Sequence, residues 1–173
     1  GHLSDFLYSG KRNLVSAAIN ALAGVGTPTA VSRLAERLGT DADFDLQILD
    51  AFATLQDPLS LERLNYALRS HHAYVRNHAK TRIIKVGLKA IPMLIENLNF
   101  DDPDLQVHSL NVLGYIGDAS AVRAIRKMLN REIKDSNIRF AGYEALGMLP
   151  LSQGAYVLAN GLSDQDEQVR IAA

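Results

Sequence analysis

The chain has 173 residues, of which 47% are hydrophobic and 21% charged, and 18 Lys plus Arg against 19 Asp plus Glu leave a formal charge of -1. This is enough for a continuous core and excludes a disordered, collagen-like or coiled-coil chain, while the charge balance supplies no global field toward nucleic acid or anionic lipid. The absence of cysteine excludes disulfides, thiolate zinc sites and cysteine nucleophiles, and no apolar run reaches the length of a membrane span or a signal peptide.

Gly1-His2 reads as a tag remnant. Beyond it the chain repeats. Leu22-Ala23-Gly24-Val25-Gly26-Thr27-Pro28, Phe52-Ala53-Thr54-Leu55-Gln56-Asp57-Pro58, Leu113-Gly114-Tyr115-Ile116-Gly117-Asp118-Ala119 and Leu146-Gly147-Met148-Leu149-Pro150-Leu151-Ser152 share one frame, which Ile83-Ile84-Lys85-Val86-Gly87-Leu88-Lys89 joins. In that frame the apolar residue opening each unit falls at Leu14, Phe44, Val75, Leu105, Ile138 and Val169, so the steps are 30, 31, 30, 33 and 31 residues. A fixed period of this length is the mark of a solenoid. The units are 14–43, 44–74, 75–104, 105–137 and 138–168, with the start of a sixth at 169–173.

Within a unit the apolar residues recur at helical steps, as Leu105, Leu110, Leu113 and Ile116 and then Val122, Ile125 and Leu129 illustrate. Each unit is therefore expected to be two helices. Gly26-Thr27-Pro28, Asp57-Pro58 and Gly117-Asp118 join helix one to helix two, with a left-handed-tolerant residue followed by a cap or an N-terminal proline. Asp41-Ala42-Asp43, Asp101-Asp102-Pro103-Asp104 and Ser163-Asp164-Gln165-Asp166 place capping carboxylates ahead of the next unit. A single two-helix unit has too little core to stand alone and must bury its apolar face on its neighbours. The apolar Val169, Ile171 and Ala172 start a face without a second helix, so the chain is read as a piece of a longer protein, either frayed there or able to self-associate end to end.

The pattern resembles the HEAT-like repeat family, in particular the short bacterial subtype also found in phycobilisome lyases. The best copies are Val75-Arg76, Ile138-Arg139 with Ala145-Leu146-Gly147, Leu113-Gly114-Tyr115-Ile116-Gly117-Asp118 and Val169-Arg170, whereas Val15 and Asp45 stand where that family often has arginine. The resemblance implies an all-α, right-handed α-α superhelix, a single domain over residues 1–173. It also implies that Arg76, Arg139 and Arg170, at one repeat position, form a structural ladder to inter-repeat aspartates, for which Asp57, Asp101, Asp104, Asp118 and Asp135 are available. An anion-binding role for the three arginines is the alternative.

In resembling solenoids the second helices line a concave surface. Counting from each opening residue, the outward positions are Arg33, Glu36 and Arg37; Glu62, Arg63 and Tyr66; Met93, Glu96 and Asn97; Arg123, Arg126 and Lys127; and Tyr156, Val157 and Asn160. A solvated face of mixed charge is one reading. The other is partner binding through Arg33, Arg63, Tyr66, Met93, Arg126, Lys127 and Tyr156, because aromatic groups with arginine are the composition of interface anchors.

Residues 69–89 carry Arg69, Arg76, Lys80, Arg82, Lys85 and Lys89 without a carboxylate, and Arg123, Arg126, Lys127, Arg131 and Lys134 form a second basic run. The sequence pI near 6.6 argues against a basic nucleic-acid-binding face. His78 and His108 occupy equivalent places in adjacent units, but two histidines without a positioned carboxylate make a poor metal site, and His71-His72 reads as a loop. The His-Glu pairs of HEAT-like di-iron hydroxylases are missing, as are a glycine-rich phosphate loop and any Ser-His-Asp cue. The expectation is a cytoplasmic, non-catalytic scaffold that binds a protein and needs no metal or cofactor. A nucleic-acid module using units three and four, or a spacer within a larger protein, are the alternatives.

Overall fold

The left-handed-tolerant residues and capping carboxylates sit where the chain must turn. The structure, a computed structural model, describes residues 3–150 and 155–173, and of residues 155–157 the backbone alone. The chain divides into two compact units, Gly1–Val86 and Gly87–Ala173. The division falls inside the third sequence repeat.

The first unit holds a 3-10 helix at Ser4–Tyr8 and the helices α1 (Arg12–Val25), α2 (Pro28–Arg37), α3 (Ala42–Leu55), α4 (Pro58–Tyr66) and α5 (Ala73–Val86). The second holds α6 (Ile91–Asn97), α7 (Pro103–Ile116), α8 (Val122–Leu129), α9 (Ser136–Met148), α10 (Ala155–Gly161) and α11 (Glu167–Ala172). Among the described residues every regular element is helical. The helices that begin the repeats open at 12, 42, 73, 103, 136 and 167, which reproduces the sequence period.

Helix one of a pair ends where a residue turns left-handed. Gly26, Gly87 and Gly117 adopt φ of 60°, 71° and 73°, and Gln56 takes the same position at 53°, the only non-glycine with positive φ among the described residues. The next residue then caps helix two: Thr27 Oγ1 accepts from the Ala30 N–H at 3.3 Å, and Asp57 Oδ1 accepts from the Leu59 and Ser60 N–H groups at 3.0 and 3.1 Å. Pro28 and Pro58 follow at the first helical position, where no N–H is needed. The inter-repeat loops obey the same rule, with Asp41, Asp102, Asp135 and Asp166 capping α3, α7, α9 and α11. Repeat five departs from the pattern. Pro150 stands at the left-handed position and cannot adopt it, so α9 stops at Met148 and Leu149 is extended, with φ -89° and ψ 157°.

The core of the first unit is Ile19, Leu34, Ile48, Phe52, Leu64 and Ile83, each at most 1% exposed; that of the second includes Leu94, Leu105, Leu110, Leu113, Ile125 and Leu146. Of the opening residues, Phe44, Val75, Leu105, Ile138 and Val169 are buried, but Leu14 is 36% exposed and Val15 beside it is buried instead. The short Ser4–Tyr8 helix stands ahead of α1, and Arg37 pins it by donating from Nε to the Leu7 carbonyl at 3.0 Å.

From the second repeat on, the residue after the opener is tied to the loop six positions back, ahead of its own helix. Arg139 donates from Nη1 to the Ile133 and Lys134 carbonyls at 2.9 Å, Arg170 to those of Asp164 and Gln165 at 2.8 and 3.0 Å, and Arg76 to that of Ser70 at 2.6 Å. Gln106 donates to the Phe100 carbonyl at 2.7 Å. At Asp45 the polarity is reversed: the Gly39 N–H donates to Oδ1 at 2.8 Å, and the Tyr74 hydroxyl donates to Oδ2 at 2.8 Å. Asp45 is fully buried. It holds the Tyr74 proton in place, and with partial burial this pushes the phenol up to about 12.

Among the described residues, Arg139 alone of the three ladder arginines forms an ion pair with a carboxylate. That partner is Asp164, at 2.7 and 2.9 Å, and none of the aspartates expected from the sequence. The pair is bidentate, and the two side chains are 14% and 12% exposed. The bond from Arg139 holds the Asp164 carboxyl below the ordinary carboxylate range. The position is thus a loop tie first and an ion pair in one copy.

Candidate interaction groove

On α4, Leu64 is fully buried in the core, so Arg63 and Tyr66, one turn apart, fall toward the other side of the helix. Tyr66 is 65% exposed. Both line a groove of about 350 Å3 in the first unit, walled by the end of α2 with Leu38 and Gly39, and by the loop carrying Ser70, His71 and His72 ahead of Val75. Ala35, Leu38, Ala67 and Val75 supply apolar surface. No carboxylate is among the lining residues. The Nε of Arg63 is enclosed and has no hydrogen-bond partner, whereas enclosed guanidinium donors normally find an acceptor. His72 also lies against Tyr74, with ring centroids 5.5 Å apart.

Two of the seven stripe residues therefore meet in one groove, together with the two histidines that the sequence marks only as a loop. Arg33 lies outside this groove on α2, paired to Glu36 at 2.9 Å with both side chains about half exposed. In the second unit Met93 is half-buried on α6, Arg126 is half-buried and already engaged, and Lys127 is exposed on α8. The side chains of Tyr156 and Val157 lie outside the described residues. Two positions expected to face outward do not. Asn97 is 1% exposed because its amide donates to Ser109 Oγ at 2.9 Å, and Arg37 is turned onto Leu7, Tyr8 and Phe44.

Several arginines of the basic runs are already occupied. Arg82 Nε donates to Asp50 Oδ1 at 2.5 Å, and His78 Nε2 lies 2.6 Å from the same oxygen. Arg76 is spent on the Ser70 carbonyl, and Arg131 donates to Asn99 at 3.1 Å. Burial, with Arg76 nearby, lowers the Lys80 ammonium below its ordinary range. His78 and His108 belong to different units, and among the described residues no group of three or more His, Cys, Asp or Glu side chains is placed to hold a metal ion. None of the described helices is long and apolar enough to cross a membrane.

Residues 91–173 match the family described as HEAT repeats, and helices α1 to α5 show the same capped pairs at the same period. The chain carries HEAT-like repeats. The fold is similar to that of human deoxyhypusine hydroxylase in complex with glycerol, 14% identical over 98% of this chain and 91% of that one, at a TM-score of 0.51. The complex of CpcE and CpcF of phycocyanin lyase from Nostoc sp. PCC7120 is 22% identical over 98% of this chain and 73% of that chain, at 0.46. A designed armadillo repeat protein is 14% identical over 98% of this chain and 94% of its own, at 0.42. At 14% identity the likeness to the hydroxylase concerns the fold alone. No curated protein sequence matches the chain.

Proposed function

We propose that the chain is a non-catalytic protein-interaction scaffold, one domain of HEAT-like repeats that offers the outer faces of its second helices to a protein partner. The observation that carries this reading is Tyr66, 65% exposed beside Arg63 at a position where a merely solvated helix would carry Glu or Lys. A preformed helical surface loses little conformational freedom on binding, so a few anchors suffice for affinity. Arg33, Arg63, Arg126 and Lys127 would steer an acidic or mixed-charge partner. The ties that already occupy Arg76, Arg82 and Arg131 weigh against a phosphate-binding face.

The test is capture from host lysate, with and without nuclease, comparing the wild type with a folded Tyr66→Ala, Lys127→Ala variant and identifying retained proteins by mass spectrometry. A specific protein held by the wild type, lost by the variant and indifferent to nuclease is expected. Equal capture by both removes the second-helix surface from consideration. Capture abolished by nuclease makes the chain a nucleic-acid module, and no capture favours the spacer.

A further inference from the structure

We infer that the groove beside α4 is a docking site for an acidic peptide segment, taking a side-chain carboxylate on Arg63 and an adjacent apolar side chain against Leu38, Ala67 and Val75. This rests on the scaffold reading and names the chemistry of the partner at one place on it.

Charge complementarity is the first argument. The lining combines Arg63, His71 and His72 with apolar groups and contains no carboxylate, so an incoming negative charge meets donors without a competing acid. Arg69 also lines the groove but is engaged in an interaction of its own. The Asp45 carboxylate, adjacent through Gly39, is withdrawn from the site. One oxygen accepts from the Gly39 N–H, the other from Tyr74, and the residue is fully buried.

The second argument is the state of Arg63. Its Nε is enclosed by protein and has no acceptor. With Nε closed off, the two Nη groups are the ends left to an incoming ligand, and together they present a planar fork that a Glu or Asp carboxylate matches in one bidentate contact. The two imidazoles on the rim add N–H donors of variable direction.

Size and polarity then select the occupant. About 350 Å3 is the low end of small-ligand pockets and accommodates one or two side chains rather than a folded surface. Val75 and Ala67, 4% and 5% exposed, put an apolar floor beside the guanidinium. An acidic residue next to a leucine-sized one matches both halves. A nucleic-acid backbone would instead call for several cations in a row.

The experiment titrates the 173-residue chain with the acetylated, amidated peptide Glu-Glu-Leu-Leu-Glu-Glu carrying fluorescein, read by anisotropy. The comparison probes are the peptide with every Glu replaced by Gln, the Lys-Lys-Leu-Leu-Lys-Lys peptide, and a fluorescein-labelled oligo-uridine RNA. Saturable binding of the acidic peptide is expected, with affinity falling about tenfold or more on changing Glu to Gln or on Arg63→Gln, as loss of a bidentate charged contact implies. Because Arg63 is half-buried, a second variant, His71→Gln with His72→Gln at exposed positions, is to weaken binding by about threefold, as removal of rim donors would. Amide shift mapping on the unmutated chain should localise the peptide to residues 35–39 and 63–75. No saturable binding, binding indifferent to both variants, shifts elsewhere, or tighter binding of the RNA each overturns the inference. If the peptide fails while lysate capture still depends on Tyr66 and Lys127, only this inference falls; if capture ignores those residues, the scaffold reading falls with it.

Discussion

Replacing Arg139 with alanine removes two charged bonds to Asp164, at 2.7 and 2.9 Å, and two bonds to the Ile133 and Lys134 carbonyls at 2.9 Å. Charged hydrogen bonds are worth about 1.5–3 kcal/mol net, but the four share one side chain and cannot be summed. Asp164 keeps one bond, from the Asp166 N–H at 2.9 Å, so its 12%-exposed carboxylate is weakened rather than orphaned. The expected cost is about 2–4 kcal/mol, between the loss of a good charged bond and the breaking of a buried pair. For a chain of this size that corresponds to a fall in Tm of roughly 5–15 °C. Urea unfolding followed by far-ultraviolet circular dichroism measures it, with Asp164→Asn and the double variant closing a cycle. Arg170→Ala is the internal control, since the bonds of Arg170 to the Asp164 and Gln165 carbonyls are solvent-exposed and it makes no bidentate pair, so its loss should cost under about 1 kcal/mol. A change within about 0.5 kcal/mol for Arg139→Ala, or equal costs at both positions, would refute the reasoning. A stable Arg139→Ala chain that had lost an anionic ligand would reassign the arginine to binding.

Four further outcomes follow from the same geometry. Asp164 has a lowered folded carboxyl, so its contribution is present above its unfolded pKa of about 3.9 and is lost as pH falls through the folded value; Arg139→Ala should flatten that part of the acid stability profile. Tyr74 is the opposite case, with its folded phenol at about 12 above the unfolded value of about 10, so stability should decline as pH rises through that interval and Tyr74→Phe should remove the decline. Gln56→Gly, at φ 53°, should stabilise by about 0.5–1 kcal/mol, measured as a higher urea midpoint; an unchanged or lower midpoint would show that left-handed strain is not being relieved there. Gly114→Ala and Gly147→Ala should differ in sign in the same assay. A Cβ at Gly114 would stand 3.1 Å from the Ala145 Cα, costing about 1–3 kcal/mol, whereas Gly147 has open space and should gain a few tenths to about 1 kcal/mol.

The helical pairs were legible because turn chemistry and apolar spacing coincide in most copies: Gly26, Gly117 and Asp57 mark the bends and the caps where they occur. Helix phase was less legible. Counting positions places Asn97 and Arg37 on the outside, but a buried partner, Ser109, draws one inward and the Leu7 carbonyl draws the other across. These are long-range satisfactions of polar groups, which local periodicity does not encode. The same limit applied to Asp164, whose spacing from Arg139 says nothing about which of several nearby aspartates the guanidinium will choose. In the candidate groove, Arg63 and Tyr66 were visible as an i, i+3 pair, but His71 and His72 were not. Their role arises from a loop brought against another helix end, and only the paired imidazoles in the sequence hinted at it.

The reversed bond at Asp45 bears on how repeats of this kind can be exchanged. Its carboxylate works because the Gly39 N–H faces it, and Gly39 adopts φ of 86°, a conformation that other residues rarely take. Arginine placed at position 45 would find an N–H where its sister copies find a carbonyl. Shuffling a consensus repeat into this slot, by recombination or by design, therefore requires the loop conformation and the helix residue to change together, because either change alone leaves a polar group facing the wrong partner. The second repeat is in that sense tied to its lineage, while repeats built around Arg76, Arg139 and Arg170 share an interchangeable joint.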